Sequence, residues 1–293
     1  MKFESYHPVI NLIYFTAAIV FTIWFNHPVF TAIAYVCAFI FSVMQNGKKA
    51  LIFNCLMFIF IAIFTYLYTR FMHFGATELG RNFIGNRITL ESAVSGLRTG
   101  FVITTVIIFL SVFFSVFSTD KVIYVFGRIS PKLSLFISVL FRSVPRIKKE
   151  SAKLTNARFG IGMSKKQGGI FIRLRNGFRH FFAMIGFTLE NFFESSQSMK
   201  NRGYSLKGRT AYSIYRFDDR DRAFVIIMFF AIIGTLTAFL FDQTHIYYDP
   251  VIIIGKVTPA SIFFYMIYAA FLLMPVISQM MAMYRFKKAR AAV

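Results

Sequence analysis

Acidic residues are scarce in this chain, and cysteine and tryptophan are scarcer. Asp and Glu number 12 among 293 residues, against 33 Lys and Arg, which leaves a net charge of +21. Charged residues of both signs make up only 15%, where a soluble domain carries about 25%. That shortage excludes an ordinary water-soluble body and, with so much apolar residue, intrinsic disorder. The two cysteines, Cys37 and Cys55, sit inside apolar runs. They form neither a disulfide framework nor a metal spacing, and both read as small buried hydrophobes. No Gly-x-x-x-x-Gly-Lys-[Ser/Thr] phosphate loop occurs. The Gly- and Lys-rich stretch from Gly160 to Gly169 follows a helical segment instead of a strand, and its spacing is wrong for a phosphate cradle. His7, His27, His73, His180 and His245 are scattered, without the close pairs a zinc site needs, and His180 reads as a polar residue at a helix surface. Neither a nucleophile elbow nor a carboxylate pair is evident. The expectation is a chain with no catalytic residue, no metal and no cofactor.

What remains is strongly apolar: 57% hydrophobic residues, 40 of them Phe, and a mean hydropathy of +0.60. An all-α, polytopic membrane protein follows. Six apolar runs predict spans: Val9–Phe25, Val29–Gln45, Ala50–Thr69, Phe101–Phe117, Ala223–Phe241 and Ser261–Tyr284. Each approaches the roughly 17–25 residues that cross a bilayer as a helix. The first reads as a retained anchor, because no small-residue cleavage site follows it. Phe71–Leu90 reads as a loop. Thr89 is the predicted N-cap of the fourth helix, with Glu91 in its first turn and the Arg98 guanidinium reaching outward to the membrane surface.

The positive charge is concentrated. Arg142 to Asp221 contains 17 Lys and Arg but only 6 Asp and Glu, and nothing in it is apolar enough to span. The predicted organisation is four spans over 1–130, a cytoplasmic region over 131–221 and two spans over 222–293. Lys48, Lys49, the basic block and the Arg285–Arg290 tail are expected in the cytoplasm, with Asp242 and Asp249 outside. Both termini are then cytoplasmic. The basic excess is that of cytoplasmic loops, so a nucleic-acid partner is not expected; the lipid bilayer is.

Within the block, Pro145 should kink or restart a helix that runs to about Arg158, where Gly160 and Gly162 stop it. A second helix is predicted from Ile172 to Arg202, ended at Gly203. It carries an aromatic stripe with Phe181, Phe182, Leu189 and Phe192, expected to bury against the first helix or the spans. Each helix therefore closes on an arginine beside a helix-stopping glycine.

These residues resemble the transmembrane T component of energy-coupling factor (ECF) transporters, the cobalt-transport-type permease family. Asn86-Arg87-Ile88-Thr89-Leu90-Glu91 looks like the family's segment before a central span. Ser130-Pro131-Lys132-Leu133, with Phe141-Arg142-Ser143-Val144-Pro145, is similar to the start of its first coupling helix. Ala157-Arg158-Phe159-Gly160 and Met199-Lys200-Asn201-Arg202-Gly203 are similar to the family's two Ala-Arg-Gly signatures, and Gly208-Arg209-Thr210 also fits. The chain departs from the pattern at Phe159, placed between Arg and Gly, and at Asn201, which stands for Ala. The resemblance implies a coupling subunit of a bacterial cytoplasmic-membrane importer of vitamins or transition metals. It implies two cytoplasmic ATPase subunits, a small substrate-binding membrane subunit, and no enzymatic activity in this chain. Ala157, Arg158, Gly160, Met199, Arg202 and Gly203 would dock the ATPases, and Pro145 would kink the coupling helix. The alternative is a membrane carrier, or a protein acting on lipid headgroups through its basic cytoplasmic platform.

Overall fold

The computed structural model describes residues 3–81, 87–162, 169–204, 206, 215–248, 251–252 and 258–291. Asn86, Gly208–Thr210 and Asp249, all used in the sequence reading, lie outside the described residues, as do residues 163–168 of the Gly- and Lys-rich stretch. In hydrocarbon a backbone must satisfy its own N–H and C=O groups, so apolar runs become helices. The described residues form nine: α1 (Pro8–Trp24), α2 (Pro28–Asn46), α3 (Lys48–Phe71), α4 (Leu90–Val116), α5 (Thr119–Ile129), α6 (Pro131–Gly160), α7 (Ile170–Asn201), α8 (Asp219–Leu240) and α9 (Pro259–Ala291). The protein is an all-α polytopic membrane protein. Five helices, α2, α3, α4, α8 and α9, are long and apolar enough to cross a membrane. The run expected as the first span, α1, has 17 residues, so it is about 25 Å long beside a hydrocarbon core of about 30 Å. Two elements lie outside the sequence reading. One is α5. The other is an antiparallel hairpin of β1 (Glu78–Arg81) and β2 (Arg87–Thr89) inside the expected loop, tied by an Arg87–Glu78 ion pair at 2.6 Å.

The helices divide into two units, residues 1–118 with 215–293, and Thr119–Ile214. The first unit holds the core. Phe3, Tyr14, Phe15 and Phe41 meet edge to face or stacked, all at most 1% exposed. Both α1 and α2 begin with His-Pro-Val. Proline fits the first helical position, where its missing N–H is no loss. The imidazole Nδ1 of His7 accepts from the Val9 N–H at 3.4 Å, and that of His27 accepts from Val29 at 3.2 Å. At the end of α1, Trp24, the chain's single tryptophan, packs on Phe239 of α8 with ring centroids 4.9 Å apart.

Helices α3 and α4 approach closely at Gly96 and Gly100, one turn apart on α4. A Cβ on Gly96 would lie 2.8 Å from the Tyr68 ring, and one on Gly100 would lie 3.4 Å from Phe64. Small residues four apart let helices close in this way within a membrane. Thr89 caps α4 as predicted, accepting from the Ser92 N–H at 3.3 Å. Glu91 is buried at the positive end of α4 and accepts from the Thr77 hydroxyl at 2.7 Å. Two expectations need correction. Arg98 does not reach outward: its guanidinium turns back and donates to the Phe25 carbonyl at 2.7 Å. That carbonyl belongs to the C-cap of α1, where helix geometry leaves acceptors without intrahelical partners. Cys55 is exposed on α3, unlike buried Cys37, because α3 turns most of its surface away from the rest of the bundle.

The second unit is built from α5, α6 and α7. Helix α5 packs along α6, and the Ser134 hydroxyl donates to the Ile123 carbonyl at 3.3 Å. Helix α6 is continuous through Pro145, so the residue neither ends nor restarts it. A proline within a long helix loses one backbone bond, and the turns on both sides hold it. Helices α6 and α7 run antiparallel, with contacts from Arg158 against Asn176 to Ser151 against His180.

Candidate functional site

The predicted docking residues lie at the ends of α6 and α7, and those ends differ. Helix α7 closes in a Schellman motif: the Gly203 N–H donates to the Lys200 carbonyl at 3.0 Å and the Tyr204 N–H to Met199 at 3.2 Å. Gly203 adopts φ 79°, open to glycine without strain. Arg202 is thereby the C-cap, with its side chain exposed. Helix α6 instead continues through Arg158 and Phe159 to Gly160, and the left-handed residue is Gly162 at φ 73°. The extra Phe159 leaves Arg158 within the last turn.

Arg158 therefore does other work. It is half-buried, and its Nη1 and Nη2 donate to the carbonyls of Asn176 and Arg179 on α7, at 3.4 and 3.2 Å. It clasps the two helices, while Ala157 and Gly160 beside it are exposed. Deeper along the same contact, the Ser151 hydroxyl meets His180 Nε2 at 3.0 Å. His180 is 4% exposed, a correction to the surface placement expected of it; α6 lies over that side of α7.

Packing between α6 and α7 is thin. No residue of α6 is fully buried, and α7 buries only His180 and Met184. Helix α6 consequently does not cover the aromatic stripe: Phe181 is 58% exposed, Phe182 66% and Leu189 51%. Phe192 alone of the four is half-buried, lining a cleft between the helices. The stripe was legible, but two helices cannot cover a face wider than their mutual contact.

That cleft, about 480 Å³ in volume, is also lined by Met199, Arg202, Arg142, Arg146 and Glu194. The sequence reading did not single out Arg142 and Arg146; their spacing of one turn on α6 was the available signal. Pro145 is exposed between them.

No family model matches the chain. A Mycoplasma pneumoniae protein described as "Uncharacterized protein MG181 homolog" is 30% identical over 107 residues, 36% of this chain and 25% of that protein. A Mycoplasma genitalium relative, "Uncharacterized protein MG181", is 25% identical over 163 residues, 51% of this chain and 39% of its own length. The matched regions thus span well under half of these two relatives.

Proposed function

We infer that the chain is the transmembrane coupling subunit of an ATP-driven importer, the T component of an ECF-type transporter. The observation that carries this is the α6–α7 pair. Two helices of 30 and 32 residues close on Arg158 and Arg202, and neither covers the apolar face of the other. A contiguous exposed apolar face marks a surface made for another protein or for lipid. In this reading two cytoplasmic ATPases take the helix ends, and a small substrate-binding membrane subunit takes the apolar faces. ATP-driven closure of the ATPases moves the pair between two arrangements. ATP hydrolysis belongs to the partners, and the cargo is a vitamin or a transition-metal ion. The chain sits in the bacterial cytoplasmic membrane, in keeping with its bacterial relatives, and both termini lie inside, with α1 crossing as a sixth span beside the five longer helices.

The test is affinity purification in mild detergent with the candidate ATPases co-expressed. Stoichiometric ATPases on the wild-type chain, lost in Arg202→Glu, support docking at this end. An intact complex and wild-type uptake in the Arg158→Glu/Arg202→Glu double variant would falsify it.

A further inference from the structure

Three arginines, all exposed, line the cleft between α6 and α7: Arg142 and Arg146, one turn apart on α6, and Arg202 at the end of α7. A single carboxylate, Glu194, lines the same space. The ion pairs Arg87–Glu78, Lys153–Glu150 and Arg222–Asp219 involve none of these four side chains. Three arginines and one glutamate thus line one space, a net positive lining that favours an anion. A second groove of about 320 Å³ adjoins the first and shares Val139, Phe192 and Met199 with it. It adds Phe136 to the apolar lining, and Lys132 and Lys200 line it as well.

A cationic cleft that adjoins a groove of apolar side chains and two lysines matches an amphiphile with an anionic head. Arginine forks take phosphate oxygens in pairs, and the groove offers carbon surface to the glycerol and the first methylenes. Chain connectivity brings the ligand close. The unit is joined at both ends to spanning helices, α4 ending at Val116 and α8 beginning at Asp219. Both ends of the unit therefore lead into helices that cross a membrane, and anionic headgroups concentrate at a membrane's surface. We propose that this cleft binds one anionic phospholipid, its phosphate held by Arg142 and Arg146 and its acyl chains started along Phe136, Val139 and Met199. The site goes beyond the coupling role and does not depend on it.

The test uses the full chain in detergent, titrated with phosphatidylglycerol and followed by native mass spectrometry. One lipid should bind saturably, with phosphatidylcholine at least tenfold weaker. Arg142→Gln/Arg146→Gln should weaken binding at least tenfold while leaving the melting temperature unchanged. Lys148→Gln/Lys149→Gln removes equal charge from α6 outside the cleft and should bind as wild type. Wild-type affinity in the first variant, or equal loss in the second, overturns the site. Inorganic phosphate displacing the lipid at equal concentration assigns the cleft to the free anion, and a hexaglutamate peptide doing so assigns it to an acidic protein segment; either overturns the lipid. Arg158 and Arg202 stay intact in both variants, so ATPase copurification reports separately on the coupling reading.

Discussion

Protonating His27 would remove the lone pair that caps α2. Its Nδ1 accepts from Val29, which leaves the proton on Nε2, 3.3 Å from the Tyr265 hydroxyl. Burial holds this imidazole below the usual histidine range. The folded state therefore favours the neutral ring, and the stabilisation is present above about pH 6.5 and lost as pH falls through the folded value. A new positive charge at the positive end of α2 adds to the loss. The melting temperature in detergent should drop between pH 7 and pH 5, and His27→Asn, which keeps an acceptor at the cap, should flatten that drop. An equal drop in the variant assigns the acid sensitivity to another group. The two arginines should separate in the same assay. Arg158→Ala removes two long hydrogen bonds across α6 and α7 and should cost about 1 kcal/mol. Arg202→Ala, with its side chain exposed, should stay within about 0.5 kcal/mol of wild type. Equal losses would mean that the two side chains are held alike.

Between elements, the tightest joint is α3 on α4. Gly96→Val places two methyls where the Tyr68 ring already lies, and should destabilise the first unit by about 1–3 kcal/mol. Gly80→Val, at a position with open space in the hairpin, is the matched control. A melt of Gly96→Val no lower than that of the control would show that α3 moves aside without loss. The spanning helices were legible because apolar length alone predicts them, and α7, read from its periodic apolar stripe, begins and ends within two residues of the predicted bounds. Helix α5 was not legible: eleven residues of mixed charge carry a face but no length. The hairpin was hidden for a related reason, since its two strands have four and three residues and Glu78 and Arg87 must meet across a turn to reveal it. The clasp of Arg158 onto α7 depends on antiparallel pairing, which no spacing within α6 encodes. Of the candidate site, the helix ends were in the sequence and the cleft between them was not.

For the whole molecule, the distribution of charge sets the orientation. The turn holding Lys48 and Lys49 should face the cytoplasm, and the loop holding Asp242 the outside. With Cys37 and Cys55 replaced by Ser, a cysteine at Tyr247, 63% exposed, should react with a membrane-impermeant thiol reagent in intact cells. One at Gly47 should react only after lysis. The reverse pattern would invert the molecule and remove the cytoplasmic role of α6 and α7.

Trp24 gives this architecture an internal readout. It is the single tryptophan, and it lies in the first unit against Phe239. Indole emission therefore follows the unfolding of that unit and is blind to α5, α6 and α7, whereas far-ultraviolet circular dichroism sums every helix. If the second unit, with its thin interface, melts first, the dichroism curve should show an early loss that the fluorescence curve lacks. Coincident curves would instead make the two units one cooperative block. A labelled partner is not needed to see the difference, because the chain already carries its own single-colour probe.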